Sequence, residues 1–357
     1  MAQNVDYTRE LADLIDIVIA ENGSDIHFSV GSNPIIRVAG SLIPLVKKPQ
    51  LTQEDAKGFM QALLTEEQQK KFLAHREIDF SYAAKGGARF RGNGFFQRGT
   101  ISIALRYIPG DIRSLEELRL PPVLETFTGL SQGFFLCVGP VGQGKSTTLA
   151  SLIELINQTR AEHIVTIEDP IEYVFEPSKS LIDQREVRVD TEDFETALTS
   201  LFRQDVDVIM LGEMRNTETI AAAVTAAETG HLVFSTLHTN NASQTIDRII
   251  DTFPPAQQDQ VRLQLSGSLA GIFSQRLIPH ISGGLVPAYE LLINNSAVAN
   301  LIREGRTHEM QTVIETGMEH GMIDMNRSLA GLVQKGDITV ENAFAHSLNP
   351  KGLERLM

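Results

Sequence analysis

The chain has little cysteine, no long apolar run and a deficit of positive charge, and each shortage removes a class of function. One cysteine in 357 residues rules out an intrachain disulfide and a cysteine-rich zinc site, and it fits a reducing compartment. That residue, Cys137, lies in an apolar stretch and reads as a small buried hydrophobe. Charged residues interrupt every apolar stretch before it reaches the roughly 18 residues that a spanning helix needs. The amino terminus also lacks the pattern of a secretory signal. The expectation is therefore a cytoplasmic protein without direct membrane insertion, able to dock on a partner that is itself membrane-embedded. Lys and Arg number 31 against 45 Asp and Glu, a net charge of −14. Sequence-independent nucleic-acid binding rests on cations neutralising phosphates, so no nucleic-acid partner is expected. Internal repeats and low-complexity segments are also lacking.

What is present begins with Gly139–Thr147, which reads G-P-V-G-Q-G-K-S-T. This is a complete G-x-x-x-x-G-K-[ST] loop. Phe134–Val138 before it is strand-like, and Leu149, Leu152, Ile153 and Ile156 after it recur at helical spacing. That context makes the motif a phosphate-binding loop (P-loop) rather than a chance match. Gly139, Pro140, Val141, Gly142, Gln143, Gly144, Lys145, Ser146 and Thr147 are the expected nucleotide-binding residues. Glycines let backbone N–H groups turn inward, and the new helix points its positive end at the phosphates. Lys145 is suited to the β- and γ-phosphates of ATP, and the Ser146 hydroxyl to Mg²⁺.

The chain divides into an N-terminal α+β domain over residues 1–110, a linker over 111–122, and a nucleotide-binding domain over 123–357. In the first, Leu11, Leu14, Ile15, Val18 and Ile19 predict an amphipathic helix ended by Gly23. Ile26, Phe28 and Val30 alternate as a strand. Thr52 with Asp55 predicts the cap of a second helix running toward Phe72. Strands are expected over 79–83, 88–96 and 101–108, with Gly86, Gly87 and Gly99 at turns. Pro109-Gly110 and Pro121-Pro122 bracket the linker. Beyond it, apolar runs at 134–138, 163–167, 206–211 and 232–235 suit buried parallel strands. Thr217–Thr229 reads as a helix capped by Asn216 with Gly230 at its end. The chain is expected to turn mainly helical after Pro279. The fold class is α/β, a doubly wound nucleotide-binding core with an α+β domain before it and helices behind.

Three further stretches carry chemistry. Val206–Glu213 is a strand followed by Gly212 and a single carboxylate, which makes Glu213 the expected water-activating group. Thr166–Glu172 places Glu168, Asp169 and Glu172 at the same sheet edge, so Glu168 or Asp169 can support Mg²⁺ or water. Gly230–Thr239 carries His231 and His238. A metal pair lacks a third ligand nearby, whereas His238 beside Ser235, Thr236 and Thr239 suits hydrogen bonding to a γ-phosphate. Arg89, Arg91, Arg98 and Arg106 gather on the strands of the first domain, with Arg89 and Arg91 on one face. They read either as a solvated basic face or as arginines supplied across a subunit boundary.

Taken together, the P-loop, T-I-E-D-P-I-E, G-E-M-R and G-H-L-V-F-S-T-L-H-T resemble the signature boxes of the secretion ATPases, in particular the branch that retracts type IV pili. The likeness includes Ser24-Asp25-Ile26-His27, Arg89-Phe90-Arg91, Phe253-Pro254-Pro255 and Asn300–Glu304. It implies a homo-hexamer of two-lobed subunits, each with a PAS-like α+β domain and a RecA-like P-loop core followed by a helical C-terminal region. It also implies an ATPase that depends on Mg²⁺ and drives pilus retraction and twitching motility against an inner-membrane platform protein. By the same resemblance Glu213 is catalytic, Glu168 belongs to the acidic box, His238 belongs to the histidine box, and Arg91 and Arg106 act between domains or subunits. Arg98 is a weaker third choice. Val141, Gln143 and Asn216 depart from the residues usual in the family, as does Ser296–Ala299 at the start of the C-terminal motif. Pilus-extending relatives commonly carry a long extra N-terminal region and a four-cysteine metal site, for which this chain has neither the length nor the cysteines. An accessory retraction ATPase, itself a possible partner of a retraction motor, shares every box. A RecA-like nucleic-acid translocase and a non-hydrolysing adaptor are the remaining readings.

Overall fold

A computed structural model describes residues 6–38, 40–85, 87–108 and 110–357. The chain separates into two compact units. Residues 1–111 with 170–174 form one, and residues 112–169 with 175–357 form the other. Gly86 and Pro109, expected at a turn and at the domain break, lie outside the described residues.

The first unit is built on one antiparallel sheet. Its strands are β1 (Gly23–Ser29), β2 (Ile35–Val38), β3 (Ser41–Pro44), β4 (Glu77–Ala83), β5 (Arg89–Gln97) and β6 (Thr100–Ile108), in the order β3-β2-β1-β6-β5-β4. Alternation sends Ile26, Phe28, Phe80, Phe90, Ile103 and Leu105 into a core shared with Leu11, Leu14 and Val18 of the helix Tyr7–Ala20. That helix stops at Ala20, short of Gly23, because Asn22 takes the left-handed conformation (φ 51°) and Gly23 already opens β1. The Thr52/Asp55 capping box forms, but the helix it opens ends at Leu63 rather than running to Phe72. Thr65 and Gln68 make a second capping box, which starts a separate helix, Glu66–His75. Two competing N-terminal signals in one apolar run favour two helices. The short strands β2 and β3 carry too little alternation to announce themselves in sequence.

The second unit holds a seven-stranded sheet of β7 (Gly133–Val138), β8 (His163–Glu168), β9 (Leu181–Glu186), β10 (Val208–Leu211), β11 (Leu232–Leu237), β12 (Leu269–Pro279) and β13 (Leu285–Ile293). Its order is β13-β12-β7-β11-β10-β8-β9, parallel except for the antiparallel β12–β13 pair. Every residue of β7, β10 and β11 is buried, as continuous apolar runs require of strands covered on both faces. Cys137 is among them, and burial pushes its thiol up to about 12. Helix Thr217–Glu228 begins on Asn216, whose side chain accepts from Thr219 N, and Gly230 follows it with φ +110°. The region beyond Pro279 departs from expectation. A long strand, β13, comes first, and helices take over only from Ser296. Leu285–Ile293 alternates weakly because both of its faces are covered, so its period could not separate strand from helix.

Candidate active site

Parallel strands point their carboxyl ends to one edge, and this edge gathers the residues expected to act. The P-loop follows β7, His238 follows β11, Gly212 and Glu213 follow β10, and Glu168 closes β8. Since β7, β11, β10 and β8 are successive neighbours in the sheet, four sites distant in sequence become adjacent.

The loop itself is shaped by glycine. Gly139, Gly142 and Gly144 have φ of +147°, +78° and +79°, and a Cβ on Gly139 would lie 2.5 Å from the Gln275 carbonyl oxygen. Gly144 caps the helix Lys145–Thr159, whose first-turn N–H groups face the loop. From β12, Leu277 N donates to Gln143 Oε1 at 2.7 Å, and Thr148 Oγ1 donates to Gln275 Oε1 at 2.7 Å. The departure at Gln143 therefore ties the P-loop to a neighbouring strand. Lys145 is buried, and its ammonium donates to Gly139 O (2.8 Å), Pro140 O (2.9 Å) and His238 Nδ1 (3.2 Å).

The chain of contacts continues. With the ammonium donating to Nδ1, the ring proton of His238 resides on Nε2, which lies 3.1 Å from Glu213 Oε1. Arg215 Nη2 holds the other carboxylate oxygen at 2.8 Å. Burial pushes the Glu213 carboxyl up, but the hydrogen bond and charge of Arg215, with the Lys145 charge behind them, bring it below the ordinary carboxylate range. Glu213 is thus kept ionised, and an ionised carboxylate is able to accept a proton. Replacing Arg215 by Gln leaves burial less opposed, so the Glu213 pKa rises. The acidic limb of the pH–rate profile is then expected to move to higher pH. An unmoved limb would remove Arg215 from this role.

Glu168 is buried at the end of β8, where Thr166 Oγ1 (2.8 Å) and Gln184 Nε2 (3.2 Å) both donate to its Oε1. Asp169 lies 3.6 Å from Arg188. Ser146 stands exposed in the first helical turn. Among the described residues no group of three or more His, Cys, Asp or Glu can hold a metal ion by itself. His231 stands apart from His238 and bonds Ala226 O at 3.0 Å, so the two histidines do not form a pair.

The arginines belong to the first unit. Arg91 on β5 lies directly opposite Arg106 on β6, and Arg106 lies directly opposite Asp25 on β1. Like charges facing each other destabilise a sheet, and the Asp25 carboxylate on the next strand offsets this at Arg106. Arg106 Nε donates to Asp25 Oδ1 at 3.0 Å, and its side chain is 71% exposed. Arg89 neighbours Arg91 across Phe90, whereas Arg98 occupies the β5–β6 turn with φ 49°. Sequence reasoning missed Arg215, Gln275 and the bonding role of Gln143. Only Arg215 had a signal, its place in G-E-M-R.

A P-loop opening a helix at the carboxyl edge of this sheet, with a lysine, a histidine and a carboxylate in one hydrogen-bonded line, defines a RecA-like P-loop ATPase. The model of the type II/IV secretion system protein family matches residues 115–336, and the chain belongs to that family. It is 43% identical over 334 residues to the type IV pilus retraction ATPase PilT of Pseudomonas aeruginosa, covering 94% of this chain and 97% of the relative. It is 39% identical over 349 residues to the type IV pilus ATPase PilU of the same organism, covering 98% and 91%. A crystal structure of the pilus retraction motor PilT with bound ADP superposes with a TM-score of 0.91 at 46% identity, over 97% of this chain and 99% of that one.

Proposed function

We propose that this chain is the motor ATPase that retracts a type IV pilus, coupling ATP hydrolysis to pilin depolymerisation and hence to twitching motility. The observation that carries the reading is the Lys145–His238–Glu213–Arg215 line at the strand ends, within a chain that resembles PilT over nearly its whole length. The P-loop binds the phosphates of ATP, and Lys145 exchanges its carbonyl partners for phosphate oxygens. Glu213 takes a proton from the attacking water, and His238 reports the γ-phosphate to it. Ser146, with the acidic edge of Glu168 and Glu213 nearby, would hold Mg²⁺, which would supply neutralisation of phosphate charge.

The working assembly is a homo-hexamer at the inner face of the cytoplasmic membrane, acting on the embedded pilus platform protein. No helix among the described residues is long and apolar enough to cross a membrane. Arg91 and Arg106 of one protomer stabilise phosphate charge bound by its neighbour. Release of products lets that interface open about a hinge over residues 110–122. The resemblance to PilU supports a second reading, an accessory ATPase that works only beside a partner motor. Deleting the gene and watching labelled pili separates the two. A retraction motor leaves pili extended and immobile, restored by the wild-type chain but not by Glu213→Gln. Retraction that persists while a partner motor is present assigns the accessory role. Normal retraction with all related ATPases deleted overturns both.

A further inference from the structure

His238 can serve the reaction only if the loop that carries it is held still, and the structure devotes buried charge to that loop. Residues 238–241 connect β11 to the helix Ala242–Asp251. Arg276 on β12 is buried and donates from Nη2 to Asn240 Oδ1 at 2.9 Å. Two residues before it, Ser274 Oγ donates to the Asn240 carbonyl at 2.8 Å. Directly across the β12–β13 pair from Ser274 is Glu290, 3% exposed, whose Oε1 accepts from Ala242 N at 2.9 Å. Asn240 and Ala242, two and four residues beyond His238, are thus clamped from one strand pair. We propose that Arg276, Asn240 and Glu290 are positioning residues that fix His238 between Lys145 and Glu213, and this rests on the hydrolytic reading of that site.

Stability alone does not account for such a clamp. Burying a guanidinium and a carboxylate costs desolvation that their attraction seldom recovers, and apolar residues of similar volume would hold two strands as well. The strain is visible in the groups themselves. Burial pushes the Glu290 carboxyl up to about 7, aided by the nearby Asp324 charge and opposed by Ala242 N–H and Arg276. Arg276 keeps a second guanidinium nitrogen, Nη1, buried and without a hydrogen-bond partner. What buried charge supplies is direction, because Arg276 presents a rigid fork of donors rather than a slippery apolar contact. The same strand β12 carries Leu277 against Gln143 of the P-loop and Gln275 against Thr148 of the helix the loop opens. One strand therefore sets both halves of the lysine–histidine contact. From the other side, Asp324 caps the helix Met325–Lys335, and Ser328 of that helix accepts from Tyr289 N at 3.0 Å. The C-terminal helices thus bear on the strand that holds Glu290.

The test uses the full chain and five variants, Arg276→Gln, Arg276→Lys, Asn240→Ala, His238→Ala and the double variant Asn240→Ala/His238→Ala. Phosphate release gives kcat and KM, and binding of a fluorescent ADP analogue is measured on the same samples. Arg276→Gln and Asn240→Ala are expected to lower kcat by about 10- to 100-fold, the scale of a 1 Å misplacement. KM and ADP binding should stay within about threefold, since the P-loop is intact. Arg276→Lys should recover part of the loss, and adding Asn240→Ala to His238→Ala should cost nothing more. Should Arg276→Gln fail to fold, Asn240→Ala on the partly exposed loop carries the same test. Normal kcat in Asn240→Ala beside an inactive His238→Ala overturns the positioning role. A fully active His238→Ala instead overturns the reading of the site on which it rests.

Discussion

Replacing Arg106 by alanine is expected to lower phosphate release about 10³-fold, the lower end of what an arginine finger supplies in GTPases. Nucleotide binding should change little, because the P-loop and Lys145 belong to the other unit of the chain. The fold should survive, since the buried Asp25 keeps the Ser24 hydroxyl at 2.7 Å and Arg37 at 3.8 Å. Lysine should not substitute well, because a point charge lacks the planar fork that Asp25 orients and that phosphate oxygens match. Arg91→Ala should show a related but separable loss, as its guanidinium faces the same strip of sheet. Steady-state phosphate release with thermal melting checks all three variants. Full activity in Arg106→Ala would return these arginines to the status of a solvated face.

Exchange of Glu213 for glutamine is the second large effect, a loss of about 10²–10⁴ in kcat, the usual contribution of a positioned base. Glutamine preserves shape, and its single carbonyl oxygen keeps one of the two contacts, to His238 or to Arg215, while its NH₂ group cannot accept from the other and the proton acceptor is lost. Affinity for ATP should hold or tighten slightly, since a negative charge near the phosphates has gone. Single-turnover hydrolysis, compared with binding of the same nucleotide, isolates the chemical step. A rate near wild type would move the base elsewhere, with Glu168 next in line. That carboxylate is buried and bonded to Thr166 and Gln184, which suits support better than proton transfer.

Much of the candidate site was legible because its signals are local. A P-loop, an apolar strand ending in Glu213 and another ending near His238 each show themselves within ten residues. Their convergence followed from one rule, that parallel strands share a carboxyl edge. What stayed hidden were long-range contacts, such as Gln275 on Thr148 and Arg276 on Asn240. A buried polar residue on a strand has no periodicity that names its partner. Fold boundaries failed for a related reason. Thr65 competed with Thr52 for one apolar run, and β13 lost its alternation by being covered on both faces.

The central claim is that each hydrolytic site is shared around a ring, and mixing two inactive variants tests it most directly. Lys145→Ala should abolish phosphate binding in its own P-loop, and Arg106→Ala should remove the finger proposed to reach a neighbour. Each alone should release phosphate at or near background. Co-assembled, they should regain a measurable fraction of wild-type activity, because some interfaces then pair an intact P-loop with an intact arginine. A mixture that stays inactive, although mixed rings are shown to form, would contradict the shared site.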